Sequence, residues 1–388
     1  KRRRELVKMD FIPSHHPLTP PHTAEDRAIW LRLLRSRRVG VSTFYRLMND
    51  HGSAAAALTA LPEIAREAGV GGYQICPENV IDKELRAGRK AGARLLALGD
   101  PDYPAALALI PDAPPLLWVK GDLSLFERPM VALVGARNAS SLGLRMARAL
   151  SRELGSEGFG IVSGMARGID GAVHEAAIDT GTVAVLGGGL DVIYPAQHTD
   201  LYHKIAETGV IVSEQPMGMK PFARHFPMRN RIVSGMALAT VVIEAAAKSG
   251  SLLTAGNAME QGREVMAVPG HPFDGRSSGC NILLRDGASL VRGGRDVIDV
   301  LAHASPLAIT DLHTPDDALV PVAPQPRSFD DHAALHSEIL SRLGGAAVAE
   351  DQLIRDIGAR AEDVSSEIIT LELGGHILRK AGGLLARV

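Results

Sequence analysis

The sequence is poor in cysteine and lacks a long apolar run. Its two cysteines, Cys76 and Cys280, lie far apart and belong to no paired motif, which excludes a disulfide framework and a thiolate zinc site. No stretch of about twenty consecutive apolar residues occurs, so no membrane span is predicted. The basic start at residues 1–4 is not followed by the apolar core of a signal peptide. These absences predict a cytoplasmic protein.

An excess of charge of either sign is also missing. The formal net charge is −2, and 22% of the residues are charged against 46% that are hydrophobic, which is ordinary for a globular protein. This balance gives no overall attraction to nucleic acid. Any binding of nucleic acid therefore depends on a local patch.

Motifs for catalysis and metal binding are scarce. His174-Glu175 begins a zinc-protease pattern, but the second histidine that the pattern requires would stand at Ile178. No G-x-S-x-G nucleophile elbow occurs. His15 and His16 lie in a segment rich in Pro and His, where a flexible tail explains them better than a metal site. The sequence therefore predicts no catalytic residue, no metal site and no cofactor.

A local patch of cations and rings occurs at residues 220–236, K-P-F-A-R-H-F-P-M-R-N-R-I-V-S-G-M. Its cations and rings are Lys220, Arg224, Arg229, Arg231, Phe222, His225 and Phe226. Cations supply charge for phosphates, and rings supply flat faces for unpaired bases. Pro221 and Pro227 favour an extended front half, and a helix is predicted from Met228 onwards, which places the arginines at a helix start. A surface loop in which Phe226 anchors the core and the arginines are solvated explains the same composition.

Short apolar runs alternate with helical patterns through the middle of the chain. The runs are Val131–Val134, Gly160–Val162, Thr182–Leu186, Val210–Val212, Ala239–Ile243, Val265–Val268 and Ser289–Val291. Near-continuous β-branched runs are typical of parallel strands that are buried on both faces. They predict an α/β domain over residues 121–303, with an extended Rossmann-like, doubly wound and mostly parallel sheet.

The rest of the chain divides into five segments. They are a flexible tail (1–22), a small helical module of SAM or helix-hairpin-helix type (23–78), a connecting region (79–120), an exposed Pro-rich linker (304–329) and a winged helix (330–388). The third helix of the winged helix carries Glu362, Asp363, Glu367 and Glu372 but no Lys or Arg. Because carboxylates repel phosphates, this domain is predicted to contact protein or to pack against the main domain.

Three loops that follow predicted strands carry groups suited to anions, because unpaired N–H groups at a helix start favour negative charge. Their candidate phosphate-binding residues are Gly135, Ala136, Arg137 and Ser140 in the first, Arg167 in the second, and Lys248, Ser249 and Ser251 in the third. Structural roles stay open, with Arg137 in a salt bridge and with Ser140 or Asp170 as helix caps. The triple glycine 187–189 lacks the third glycine of a dinucleotide loop, since Val192 occupies its place.

Five motifs occur in order through the central region. They are V-G-A-R-N-A-S at 134–140, S-G-M-A-R-G-I-D at 163–170, F-P-M-R-N-R-I at 226–232, S-G-S-L-L-T-A at 249–255 and A-V-P-G at 267–270. Together they resemble the bacterial DNA-processing family DprA, also called Smf. The resemblance implies a protein that protects incoming single-stranded DNA and loads the recombinase RecA onto it during natural transformation. It also implies a homodimer formed through the Rossmann-like domain, and no catalytic activity.

The resemblance further implies roles for single residues. The phosphate loop of the family falls on Gly135, Ala136 and Arg137, and its base-stacking ring falls on Phe226. The family often has a basic residue where this sequence has Ala223, and Arg224 or Lys220 is expected to replace it.

Two other functions stay open from the residues alone. A nucleotide-processing enzyme of phosphoribohydrolase type would use Glu244 or Glu260 as its acid or nucleophile. A transcription regulator would act through the winged helix, although the acidic third helix argues against it.

Overall fold

A nine-stranded sheet forms the centre of the molecule. The structure, a computed structural model, describes residues 19–303, 332–343, 348–380 and 384–388. The strands are β1 (Arg94–Ala97), β2 (Leu116–Gly121), β3 (Met130–Val134), β4 (Gly160–Ser163), β5 (Thr182–Val185), β6 (Val210–Ser213), β7 (Ala239–Val242), β8 (Glu264–Ala267) and β9 (Ser289–Leu290). Their order is β1-β2-β6-β5-β4-β3-β7-β8-β9. Strand β2 is antiparallel to both neighbours, and the other pairs are parallel.

Helices cover both faces of this sheet. One face packs against α6 (Ser141–Ser156), α7 (Ile169–Ala177), α8 (Thr199–Thr208) and α12 (Gly294–His303), and the other against α5 (Ala105–Ala108), α9 (His225–Gly235), α10 (Ser251–Glu260) and α11 (Ser278–Arg285). Every residue of β3 to β7 is buried, which explains why their sequences are continuous apolar runs. The predicted doubly wound, Rossmann-like sheet is confirmed, with all seven predicted strands in place.

The segment 79–120, predicted as a connecting region, belongs to the sheet. Its strands β1 and β2 extend the sheet beyond β6, with Trp118 opposite Ser213. The Trp118 ring packs so closely on helix α4 (Glu78–Lys90) that a Cβ on Gly88 would lie 2.3 Å from it. Its Nε1–H donates to Glu84 at 2.9 Å. Burial of this tryptophan fixes the two strands on the sheet, so the prediction of a mere connection is corrected.

Four helices precede or flank the start of the sheet. They are α1 (Ala24–Arg35), α2 (Val41–His51), α3 (Ala54–Glu67) and α4 (Glu78–Lys90). A capping box starts α1, in which the N–H of Asp26 donates to the Thr23 hydroxyl and the N–H of Thr23 donates to the Asp26 carboxylate, each at 3.0 Å. Phe44, Leu47 and Leu61 are fully buried between the helices. The predicted helical module is therefore present.

Three helices and a small sheet make up the described part of the C-terminal domain. The helices are α13 (His332–Arg342), α14 (Glu350–Ile357) and α15 (Ala361–Gly374), and the strand order is β10 (Val348–Ala349), β12 (Leu384–Arg387), β11 (Ile377–Arg379). This confirms the predicted winged helix. Its third helix, α15, packs against α3, and Ile369 and Leu373 lie in the apolar core of the helical module. The domain therefore packs within the chain, but its partner is the helical module and not the main domain that was predicted.

Three further predictions concern the N-terminal tail, the linker and membrane-spanning helices. The predicted linker 304–329 and residues 1–18 of the predicted tail lie outside the described residues. Among the helices that are described, none combines the length and apolar character needed to cross a bilayer.

Candidate nucleic-acid interface

A cleft opens above the carboxyl ends of β3, β4 and β5. Arg137, Arg167, Tyr194, Pro221 and Phe226 contribute to its lining. The two arginines come from the loops after β3 and β4, and Phe226 comes from the first turn of α9. Parallel strands bring their carboxyl ends to one edge, so residues far apart in sequence meet there. The structure thus brings the predicted stacking ring together with two predicted phosphate-binding cations.

The Phe226 ring is the centre of this cleft. The guanidinium carbon of Arg137 lies 5.0 Å from the ring centroid, within the range of a cation–π contact. The Tyr194 ring lies 5.9 Å away, between centroids. A Cβ on Gly187 would stand 3.3 Å from the Phe226 ring, so the ring rests directly on the end of β5. Phe226 is half-buried, and it therefore both anchors α9 and lines the cleft.

The segment before α9 lies flat on the triple-glycine loop. A Cβ on Gly188 would be 2.8 Å from the Met219 carbonyl oxygen, and one on Gly189 would be 2.5 Å from the Pro216 carbonyl oxygen. The three glycines therefore serve close packing and not a dinucleotide. Helix α9 begins at His225, three residues before the predicted start. Pro227 is tolerated there because the N–H groups of the first turn have no intrahelical partner.

The exposed cations of the 220–236 segment are Lys220 and Arg224. Arg224 lies 5.7 Å from the centroid of the Phe222 ring, which is 55% exposed. Burial, reinforced by the charge of Arg224, lowers the pKa of His225. The neutral His225 ring accepts a hydrogen bond from the Phe222 N–H at 3.3 Å. Two cations and one exposed ring therefore flank the cleft on the side of Pro221.

Arg231 serves a different purpose from the one predicted. Its guanidinium pairs with Glu214 at 2.6 Å and with Asp112 at 3.3 Å, and only 11% of its side chain is exposed. Two carboxylates already neutralise this cation. The structure gives Arg231 a structural role in place of the predicted phosphate contact.

Arg229 is buried beneath the loop after β4, again unlike the prediction. Its Nη1 would lie 1.3 Å from a Cβ on Gly164, so the guanidinium supports the loop from below. Burial lowers the pKa of Arg229 and raises that of Asp170, and the charge of each residue opposes the shift of the other. Asp170 also accepts a hydrogen bond from the Ala166 N–H at 3.3 Å. Asp170 therefore holds the loop before α7 and does not cap that helix as predicted, since the N-cap residue is Gly168 and no side chain bonds there. Arg167 remains exposed in the cleft.

The predicted anion site at the start of α6 is filled by a carboxylate of the chain itself. Glu244, which follows β7, accepts from the Ser140 N–H at 3.0 Å and from the Ser140 hydroxyl. Its carbonyl oxygen accepts from the Ala136 N–H at 2.7 Å. A Cβ on Gly143 would be 2.5 Å from the Glu244 carboxylate. Ser140 and the Ala136 N–H are therefore engaged internally, which corrects their prediction as phosphate contacts.

Gly135 also serves packing at this point. A Cβ there would lie 2.6 Å from the Ile169 side chain and 3.0 Å from the Glu244 carbonyl oxygen. The loop after β3 can therefore press against α7 and the end of β7. Of the predicted phosphate loop, Arg137 is the member whose side chain reaches the cleft.

The third predicted loop lies beside the cleft and not in its lining. Lys248 is exposed, while Ser251 is buried and its hydroxyl lies 2.7 Å from that of Ser249. The Asn230 side-chain amide donates to the Gly250 carbonyl at 3.3 Å, which joins the loop to α9. Lys248 is thus a free cation of this loop, and the two serines bond to each other.

Tyr194 was missed at the level of sequence. It lies in the irregular segment between β5 and α8, where no helical or strand periodicity of the sequence assigns its side chain to the core or to the surface. The available signal was a Tyr-Pro pair shortly after the glycine cluster. Its ring, 52% exposed, widens the aromatic surface that Phe226 begins.

Comparison with known proteins places this architecture in one family. The family model for DNA recombination-mediator protein A matches residues 94–302, which is more than half of the chain. The models for the DprA-like N-terminal HHH domain and the DprA winged helix domain match residues 24–87 and 323–383. The chain belongs to the DprA/Smf family. The family match covers the sheet, the cleft and both flanking domains.

Curated relatives agree with this assignment. DNA processing protein DprA of Streptococcus pneumoniae is 45% identical over 201 residues, which covers 51% of this chain and 71% of the relative. Protein Smf of Escherichia coli is 35% identical over 314 residues, covering 79% and 81% of the two chains. Protein Smf of Synechocystis is 31% identical over 393 residues, covering 92% and 98%.

Solved structures of the family share the fold. The X-ray structure of DprA from Streptococcus pneumoniae superposes with a TM-score of 0.53 at 34% identity, covering 68% of this chain and 98% of that one. A structure described as showing the single-stranded DNA binding mode of DprA from Helicobacter pylori has a TM-score of 0.50 at 29% identity, with 55% and 96% covered.

Proposed function

We propose that the cleft above β3–β5 binds single-stranded DNA. The observation that carries the proposal is the Arg137 guanidinium placed 5.0 Å over the half-buried Phe226 ring in a cleft that also exposes Arg167. A guanidinium binds a phosphate by charge-assisted hydrogen bonds, and a ring stacks on an unpaired base of any identity. The Helicobacter pylori relative, described by its single-stranded DNA binding mode, supports the same assignment.

The strand would leave the cleft past Lys220 and Arg224. Both are exposed, and either of them supplies the positive charge that Ala223 lacks. Binding of this kind tolerates any sequence, and it weakens as salt rises because phosphate contacts release counterions.

At the level of the cell, the proposed role is that of the family. The chain acts in the cytoplasm as a homodimer that protects incoming single strands and loads RecA onto them during transformation, without catalysing a reaction. Co-sedimentation of the chain with RecA tests the partner, and sedimentation equilibrium of the chain alone tests the dimer.

The structure offers little support for the alternative of a phosphoribohydrolase. The carboxylate of Glu244 is buried and accepts from the N–H of Ser140, the N-cap residue of α6, so it is engaged within the fold and does not face a substrate. Glu260 lies at the end of α10 and outside the cleft lining. The non-catalytic proposal rests on these two placements.

A mobility-shift titration of single-stranded and double-stranded oligonucleotides across a salt series tests the proposed site. Phe226→Leu keeps an apolar side chain on Gly187 but removes the flat face, and we expect it to weaken single-strand binding about tenfold. Phe226→Tyr keeps the ring and serves as the matched control, with nearly parental affinity. Preference for the duplex, or equal binding by the Leu variant and the parent, would refute the proposal.

A further inference from the structure

A second exposed ring stands at the same edge of the sheet, beyond β3 and β7. Phe273 lies in the 270–277 loop after β8, and 95% of its surface is exposed. Its ring lies 5.6 Å from that of His271, and the charged Asp274 and Arg276, which pair with each other at 3.6 Å, follow it in sequence. Phenylalanine is ordinarily buried. A single ring among charged groups suits a stacking platform better than an apolar docking face.

The loop that carries Phe273 is held in shape at its base. The Asn281 side chain bonds both backbone groups of Gly270, accepting at 3.3 Å and donating at 3.1 Å. A Cβ on Gly270 would stand 2.0 Å from the Ser277 hydroxyl, so the two ends of the loop are in contact. Phe273 is therefore presented by an ordered loop, and its exposure is a feature of the fold.

A continuous set of contacts joins this loop to the cleft. Phe226 lies in the first turn of α9, and one turn later the Asn230 side chain donates to the Gly250 carbonyl. The same loop after β7 donates from the Ala247 N–H to the Ser278 hydroxyl at 3.0 Å, and Ser278 in turn donates to Gly275 at 2.7 Å. The exposed Lys248 lies in the middle of this path. A cation therefore stands between the two rings along one surface.

The spacing of the rings suits a longer strand. Phe226 rests on the end of β5 and Phe273 follows β8, and β5-β4-β3-β7-β8 are consecutive neighbours. Four inter-strand steps of about 4.8 Å span roughly 19 Å. For a strand stacked as in B-DNA, with a rise of ~3.4 Å per nucleotide, this distance corresponds to about five or six nucleotides.

We infer that Phe273 is a second base-stacking site, which together with Lys248 binds the continuation of a single strand seated in the cleft. The inference rests on the proposed function and extends it. A strand of about four nucleotides occupies the cleft alone, whereas one of about sixteen reaches both rings. The phosphates between the rings pass Lys248.

The test measures the affinity of the full chain for oligothymidines of about four and about sixteen nucleotides. We expect Phe273→Ala to weaken binding of the long strand about tenfold and to leave the short one unchanged, because one stacked base is lost. Phe273→Tyr retains the parental affinity for both. Lys248→Gln lowers the salt slope for the long strand by about 0.7 and leaves the slope for the short strand unchanged.

Phe226→Ala is the reference variant, because it should weaken both lengths. If Phe226→Ala lost affinity while Phe273→Ala kept the parental affinity for the long strand, this inference would be overturned and the proposed function would stand. Equal losses of Phe273→Ala on both lengths would also overturn it. A changed oligomeric state with unchanged DNA affinity would assign Phe273 to a protein contact instead. If the parent chain bound neither the short nor the long oligothymidine, the proposed function itself would be refuted.

Discussion

The cleft above β3–β5 and the third helix of the winged helix both match patterns of DNA-binding surfaces, and the structure treats them in opposite ways. In the cleft, Arg137 and Arg167 are exposed beside Phe226. On α15, Ile369 and Leu373 are buried in the core of the helical module. The face that would enter a major groove is thus used for packing within the chain. A DNA-binding surface needs charge that is still free, and the two regions differ in this respect.

The charges around α15 are already paired. Arg379 binds Glu372 at 3.1 Å and Glu350 at 2.9 Å, and Arg46 of the helical module binds both carboxylates as well. Burial and the nearby Arg379 lower the pKa of Arg46 to about 10, so it stays charged at neutral pH. This cluster of two arginines and two glutamates holds the winged helix on the module. The two carboxylates are therefore neutralised within the chain.

The largest effect should come from a cation that was predicted for DNA but is paired in the fold. Arg231→Ala leaves the largely buried Glu214 without its partner, and we expect the free energy of unfolding to fall by about 3 kcal/mol. The affinity of the folded protein for single strands should stay within about twofold of the parent. Urea denaturation and a DNA titration measure the two quantities. A large loss of affinity with unchanged stability would show that Arg231 contacts DNA after all.

The next effect concerns the exposed cation of the cleft. Arg137→Glu removes the contact with Phe226 and places a carboxylate where a phosphate should lie, and we expect single-strand affinity to fall about a hundredfold, or ~2.7 kcal/mol. The slope of affinity against salt should flatten by about 0.7 or more. Arg295→Glu is the matched control. Arg295 lies on α12 next to Gly294, whose N–H donates to Glu153 near the C-terminal end of α6, whereas the cleft lies at the other end of α6. Equal losses in both variants would mean that overall charge, and not the cleft, governs binding.

The sheet could be predicted because its strands are buried on both faces. Each run from Val131 to Val242 keeps its apolar character regardless of its neighbours. Strands β1 and β2 were missed because four prolines, at 101, 104, 114 and 115, lie between them and favour the prediction of turns. Their place on the sheet depends on Trp118, whose contacts with α4 come from another part of the chain.

The site was predictable in part, for a related reason. The type and order of Arg137, Arg167 and Phe226 follow from local motifs, and the strand ends bring them to one edge. Which cations are free depends on partners distant in sequence, such as Asp112 for Arg231. Glu244 and the helix start that it occupies are 104 residues apart. No local sequence pattern indicates that a carboxylate of the chain already occupies an anion site.

The smallest expected effect would test the comparison most directly. A chain that ends at residue 329 lacks the winged helix, and we expect it to bind single strands with nearly the parental affinity, because none of the described residues of 330–388 lines the cleft. The truncation frees Arg46 from its two carboxylates, and this new cation could itself attract DNA. Arg46→Ala in the truncated chain controls for that gain. If the truncated chain lost all single-strand binding while its helices and sheet stayed folded by circular dichroism, the winged helix and not the cleft would be the DNA-binding element.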